Sequence, residues 1–386
     1  MKKVYLDNAA TTPVAPEVFE EMAPILQNVF GNPSSQHSFG RYAKGILETS
    51  RRKVASCIHA DPSEIVFTSG GTEADNMALH ISIHELDVKR IITSEIEHHA
   101  VLHTVEDICT KNNEIEFQTV KLTSDGHVDL NHLKELLANS DKKTLVSLMH
   151  GNNEIGNLLP LEEVSQICRA HNAYFHSDTV QTMAHYRIDL KKIDIDFVTC
   201  SAHKFHGPKG VGFLYINKKI KGSPFVHGGA QERGLRGGTE NLYGIVGLAK
   251  AMEIAHDDME EHQNHIQGLK SYMIEQLKKN IKNIDFHGDI ENPDKSLYTV
   301  LNVRLPKTSK ASMLLFTLDL KGVACSGGSA CSSGSNKGSH VLEGIQADTS
   351  HPNVRFSFSR YNTKEDIDYA VQVLKEAFEK ELVDYA

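Results

Sequence analysis

The sequence predicts a two-domain α/β chain: a large domain built on a mostly parallel sheet flanked by helices, and a smaller α+β domain. Three observations carry that expectation. The chain has 386 residues, more than the roughly 250–300 that one hydrophobic core serves before a chain divides. Between about residues 60 and 220, short β-branched runs alternate with stretches of helical periodicity, the pattern of βα units. Beyond Asn241 that alternation stops.

Taken in order, EIVFT (64–68) reads as a strand, followed by a glycine turn and the helix TEADNMALHISIHEL (72–86). RIITSE and EIEFQTVKL are strand-like, and HAVLHTVEDICTK and HVDLNHLKELLANS helical. TLVSLMH, LEEVSQICRAHN and AYFHSD continue the alternation, with Leu161, Val164 and Cys168 marking one helical face. DFVTCS and GVGFLYIN complete it. From Asn241 to about Lys282 one long helical stretch, interrupted by Gly268, carries the domain boundary. The expected division is 13–258 for the large domain, and 1–12 with 259–386 for the small one. In the small domain YTVLNVRL, SKASMLLFTLDLK and VRFSFS precede a last helix on which Ile367, Val371, Leu374 and Phe378 share a face. A Ser/Gly-rich loop occupies residues 325–339.

Composition narrows the class. A net charge of −9 leaves no electrostatic footprint for nucleic acid, and 40% apolar residues is ordinary for a soluble protein. Asp7 and Asn8 break the apolar run of MKKVYLDNAATTP before a leader could form, and no window approaches the length of a membrane span. The six cysteines show no CxxC pair, so reduced thiols in a cytoplasmic protein are expected.

In an open α/β sheet, ligands bind beyond the carboxyl ends of the strands. The polar residues that follow the strand-like runs therefore form one set: Ser69, Gly70, Gly71 and Thr72; His98; Asn152 and Asn153; Asp178 and Gln181; Ser201, His203 and Lys204. Each has a bland reading alone, since GGTE is an ordinary helix start and Asp178 an ordinary cap. Together they supply a phosphate seat at a helix N-terminus, an acid ending one strand and a lysine ending the next. Those are the anchors pyridoxal phosphate needs: donors for its phosphate, a carboxylate for its ring nitrogen, and an amine for an imine. Lys204 fits the last better than Lys209, which sits in a GPKG turn where a solvated amine is expected.

The motifs YLDNAATTP, FGNPSS, FTSGGTEADN, EHHAV, NNEIG, HSDTVQ, SAHKFHGPKG, RGGTEN, GSAC and VRFSFS run through nearly the whole chain. Through them the sequence resembles the cysteine desulfurases, in the fold type I class of pyridoxal-phosphate enzymes related to class-V aminotransferases. The resemblance implies a seven-stranded sheet and a homodimer. It implies that Lys204 forms the imine, His98 stacks on the pyridine ring, Asp178 pairs with its nitrogen and Gln181 contacts its phenolic oxygen. Thr72, Ser201 and His203, beside Gly71, would hold the phosphate. Asn153 would contact cofactor or substrate, Asn32 in FGNPSS the substrate, and Thr239 a phosphate in the partner subunit. Arg355 matches the arginine that grips the substrate carboxylate; a guanidinium forks onto a carboxylate through two charge-assisted bonds. Arg360 is its rival, at a strand end where a solvated arginine is expected.

The same resemblance makes Cys331 the acceptor of sulfur from L-cysteine, leaving a persulfide and L-alanine. Its Ser/Gly-rich surroundings cannot pack a core, which suits a reachable thiol. An ordinary thiol is only a few per cent thiolate at pH 7, and His98 is the base that position suggests. The sulfur would pass to an acceptor protein such as an iron–sulfur scaffold, or into tRNA or cofactor thiolation. Cys325 and Cys331 match no common zinc spacing, so no metal site is expected apart from a transient iron–sulfur ligand at Cys331. A selenocysteine lyase or an aminotransferase would share Lys204, Asp178 and His98. From a different class, an iron–sulfur or zinc scaffold using Cys325 and Cys331, or an inactive binding relative, is the alternative.

Overall fold

The computed structural model describes residues 2–308, 311–327 and 338–384. Cys331, with the rest of 328–337, lies outside them. The central sheet has seven strands, in the order Ile65–Thr68, Gly212–Ile216, Phe197–Ser201, Tyr174–Asp178, Thr144–Ser147, Arg90–Thr93 and Glu116–Thr119. The last five are mutually parallel, and Gly212–Ile216 runs against both its neighbours. Most of these strands are buried along their whole length, because helices cover both faces. Alternation within each strand decides which side a residue serves: Ile91, Leu145 and Phe197 pack under the helices Gly71–His84 and His99–Lys111. Ile92, Val146 and Val198 pack on the opposite face. The edge strand Glu116–Thr119 is largely exposed and carries Glu116 and Gln118, a charged and polar edge that discourages further pairing.

Two N-terminal helices that the sequence reading left unassigned complete the larger core. Pro16–Asn28 and Ser38–Cys57 lie against Leu242–Asp257, burying Val18, Ala43, Leu47 and Val54. Pro16 opens the first of them, where its missing N–H costs nothing.

The expected long helix after Asn241 is two helices, Leu242–Asp257 and Met259–Asn280, and the break falls at Asp258 rather than at Gly268. The run DDMEE explains it. Carboxylates at a helix C-terminus oppose the dipole, whereas Glu260 and Glu261 favour a new N-terminus. Gly268 sits inside the second helix, where a Cβ would meet nothing, so the chain continues through it with only a propensity cost.

A second core gathers Ile266, Leu269 and Met273 with the strands Val300–Arg304 and Asn353–Ser357 and the last helix, Lys364–Asp384. Asp285–His287 extends that antiparallel sheet. Val4 and Leu6 belong to this second core, Ala15 and Val18 to the first. Val4–Tyr5 pairs in parallel with Val323–Ala324. The segment from Asp7 to Thr12 therefore passes from one core to the other.

Candidate active site

A cavity of about 230 Å3 opens where the strand ends meet that crossing segment. Its walls include Gly71, Thr72, His98, Asn153, Asp178, Gln181, Ser201, His203, Lys204 and Arg355. Each arrives by a short route. Asp178 ends Tyr174–Asp178, and its Oδ1 accepts the Val180 N–H at 2.8 Å. Ser201 ends Phe197–Ser201, and a single 3-10 turn, Ala202–Lys204, brings round His203 and Lys204. His98 caps the helix His99–Lys111.

The crossing segment holds the other side. Lys204 Nζ donates to the carbonyl oxygens of Ala9 and Ala10 at 2.6 and 2.9 Å, and Gln181 Nε2 donates to Ala9 O at 3.0 Å. Thr12 donates to His203 O through both N–H and Oγ1. Arg355 is almost fully buried. Its Nη2 donates to Asp7 Oδ1 at 2.9 Å and its Nη1 to Asn153 O at 2.8 Å, while Nε has no hydrogen-bond partner among the described residues.

Two predicted residues lie elsewhere. Asn32 is exposed, and its Oδ1 accepts the Ser34 N–H, fixing its own turn rather than the cavity. Thr239 lines a separate recess beside Ser69 and Arg236. The rival cations also stay outside: Lys209 is exposed, and Arg360 contacts His262 and Tyr361. Asp75, His99, Glu154 and His340 line the cavity but were not singled out from sequence. Asp75 was accessible to helical spacing, three positions beyond Thr72.

The electrostatics follow from burial. Asp178 is pushed up to about 7, first by burial and then by the nearby Asp75, which burial also raises to about 7. Burial, then Lys204, pushes His98 down to about 4, so its ring stays neutral at pH 7. His203 falls to about 4, again chiefly through burial.

These groups fit pyridoxal phosphate. Burial and Asp75 outweigh the pull of Lys204 on this carboxyl, and a pyridinium nitrogen beside it would favour its ionised form. The turn at Gly70–Gly71 starts the helix Gly71–His84 hard against the next loop: Gly70 has φ +153, and a Cβ on Gly71 would come within 2.7 Å of Val180. That brings free backbone N–H groups beside Thr72, Ser201 and His203, a donor set suited to phosphate.

A pH effect follows in cofactor-free protein. Asp178 keeps its proton in the folded state up to about 7 but would lose it near 3.8 when unfolded. Its contribution therefore favours folding fully below the lower value and is lost as pH rises through the upper one. Asp178→Asn is expected to flatten that part of the stability–pH curve between about 4 and 7, measured by urea unfolding of cofactor-free protein. The same variant should bind the cofactor more weakly.

The class-V aminotransferase family matches residues 4–370. A cysteine desulfurase IscS of Dictyoglomus turgidum is 43% identical over 383 residues, covering 98% of this chain and 95% of the relative. A putative cysteine desulfurase IscS 1 of Bacillus subtilis is 42% identical, covering 96% and 97%. Among solved structures, a NifS-like protein superposes with a TM-score of 0.89 at 37% identity, covering 98% of this chain and all of the other. A NifS-like protein from Rickettsia africae gives 0.87 at 31%, with the same coverage.

Proposed function

Since the chain belongs to the class-V aminotransferase family, whose members are pyridoxal-phosphate enzymes, and acts as a cysteine desulfurase, we propose the following reaction for it. It converts L-cysteine to L-alanine on pyridoxal 5'-phosphate, leaves a persulfide on Cys331, and passes that sulfur to an acceptor protein such as an iron–sulfur scaffold. The convergence of Lys204, Asp178 and His98 on one cavity that also holds Arg355 is the observation that carries this reading.

When bound, the cofactor supplies an aldehyde that captures the substrate amine and a ring that withdraws electrons from Cα. Asp178 would hold a proton at the ring nitrogen. His98, kept neutral by burial, would cover the ring without adding charge. Thr72, Ser201 and His203 would donate to the phosphate, and Gln181 would serve the phenolic oxygen. Lys204 Nζ takes the proton from the substrate Cα. Asn153 and Arg355 orient the substrate, and Cys331 Sγ receives its sulfur.

In the test, purified protein is supplied with L-cysteine, and alanine and persulfide are measured. Equal yields on the native chain, and neither product from Cys331→Ala with the cofactor still bound, are expected. Alanine formation at full rate without Cys331 would remove Cys331 from the chemistry and move the assignment to a selenocysteine lyase-like enzyme, whereas a keto acid in place of alanine would point to an aminotransferase. Arg355→Gln is expected to raise KM for L-cysteine by roughly 10- to 100-fold, the loss of one charge-assisted bond of about 1.5–3 kcal/mol. Initial-rate kinetics check this.

A cytoplasmic homodimer belongs to the same proposal. The described cysteines are all free thiols, as a reducing compartment favours. Phe19, Leu26, Tyr42 and Tyr243 are exposed on helices that pack together around Leu242–Asp257, and Phe30 is exposed two positions past the end of the first, an apolar surface suited to a second copy.

A further inference from the structure

Asp178 is not the one buried acid at the cofactor seat. Asp75, on the helix Gly71–His84, lines the same cavity and is 1% exposed. A carboxyl oxygen of Asp75, one of Asp178 and a ring nitrogen of His98 all lie within 4.8 Å of one another. Two carboxylates that close repel each other, and burial adds the cost of taking each charge out of water. A ring nitrogen needs one acid, so the second calls for a reason.

The surrounding protein compensates Asp75 little. The Thr199 hydroxyl, from the strand Phe197–Ser201, is its hydrogen-bond partner, and Asp75 Oδ1 accepts no hydrogen bond among the described residues. His176 Nε2, from the strand that ends in Asp178, lies 3.4 Å from that oxygen. Burial pushes this imidazole down to about 4, so it brings no charge. Both its nitrogens are also engaged, Nε2 with Thr199 Oγ1 at 3.1 Å and Nδ1 with Ser147 Oγ at 2.8 Å. The other titratable groups facing the two acids are Glu97 and His98, before the helix His99–Lys111, with Cys200 and Lys204. Burial favours the neutral forms of the first three. Lys204 is the cation among them; it acts on Asp178, and in the proposed reaction its amine is tied to the cofactor.

We propose that Asp75 is a positioning residue for the proton on the cofactor's ring nitrogen: in the loaded enzyme its carboxylate is a second negative charge at this seat and acts through Asp178. The inference rests on the reading of Asp178 as the partner of that nitrogen. Asp178 takes the N–H, and Asp75 makes Asp178 more basic while adding its own attraction for the cationic ring at longer range. A ring held by two acids keeps its proton to higher pH than a ring held by one, and so goes on withdrawing electrons from Cα. The orphaned Oδ1 of Asp75 and the crowding of two buried acids, each unfavourable in the empty cavity, then both serve the bound cofactor.

The test uses holoenzyme loaded with cofactor that carries nitrogen-15 in its ring. Against pH, NMR reads how fully the ring nitrogen is protonated, and visible absorbance reads the protonation of the Lys204 linkage. Asp75→Asn keeps the shape of the side chain and can still accept the Thr199 hydroxyl, but it carries no charge. Removing a nearby anion disfavours both cations, so the visible midpoint is expected to fall by about one unit and the ring resonance to move toward that of unprotonated nitrogen. Turnover should drop about 10-fold, the equivalent of that unit, with KM for L-cysteine little changed. Thr199→Val, which withdraws the donor that favours ionised Asp75, should move both signals the same way by less. A native midpoint and a native ring resonance in both variants would overturn the inference. If Asp178→Asn leaves the ring resonance native, the pairing on which the inference rests is overturned instead.

Discussion

Lys204→Ala is expected to lower the turnover of L-cysteine by about 10³-fold or more, with no recovery when pyridoxal phosphate is added. In the proposed reaction one side chain has two tasks: holding the cofactor covalently, and moving the Cα proton, a step for which a positioned base alone contributes about 10²–10⁴-fold. The remaining anchors are untouched, so the variant should still take up the cofactor, but borohydride should fix no pyridoxyl group on the chain. Lys204 Nζ also satisfies the carbonyls of Ala9 and Ala10, and its loss strips two buried acceptors of a donor. Lys204→Gln separates the two effects, since it returns an N–H to that region without a basic amine. It should fold as the native chain does and remain inactive. Turnover by either variant at a tenth of the native rate would remove Lys204 from the chemistry.

Glu232→Gln should destabilise the fold by about 3–5 kcal/mol, the cost of leaving a buried charge without its partner. Glu232 and Arg51 are each about 2% exposed and joined by two parallel bonds, Nη1–Oε2 at 2.7 Å and Nη2–Oε1 at 2.9 Å. Neither end is spare. Arg51 Nη1 also donates to Ile65 O, and Glu232 Oε2 also accepts the Phe67 N–H, so the pair clamps the edge strand Ile65–Thr68. Glu232 has φ +46, an αL conformation rare for this residue type, held in place by these contacts. Calorimetry or urea unfolding of the variant gives the loss. Replacing both partners with apolar residues, Arg51→Met with Glu232→Leu, should recover only part of it, because the stranded charge is then gone but Ile65 O and the Phe67 N–H lose these partners. A single variant as stable as the native chain would show the pair to be dispensable.

The sequence makes the acid and the amine at the strand ends legible for a physical reason. Asp178 and Lys204 are charged groups placed directly after runs of buried residues, where chance rarely leaves them. The βα alternation between residues 60 and 220 is equally visible, because two-sided burial forces unbroken apolar strands. What is harder to see is whatever depends on distant partners. The helices Pro16–Asn28 and Ser38–Cys57 are rich in charge, and only their shared packing on Leu242–Asp257 shows where Val18 and Leu47 belong. Gly268 reads as a break because glycine is a poor helix former, yet the electrostatics of DDMEE end the helix at Asp258, nearly three turns earlier. His340 carries no local sign of its place in the cavity wall, since the Glu97 carbonyl that it meets lies 243 positions away.

The segment Asp7–Thr12 has a bearing on how the enzyme is made. Asp7 is tied to Arg355 and Asn8 to Ser357, across 348 and 349 positions, while Ala9 and Ala10 meet Lys204. Residues 7–10 must therefore wait for the synthesis of residues some 348 positions later before this wall of the cavity exists. A nascent chain stalled before Arg355 emerges has an α/β sheet but no finished pocket.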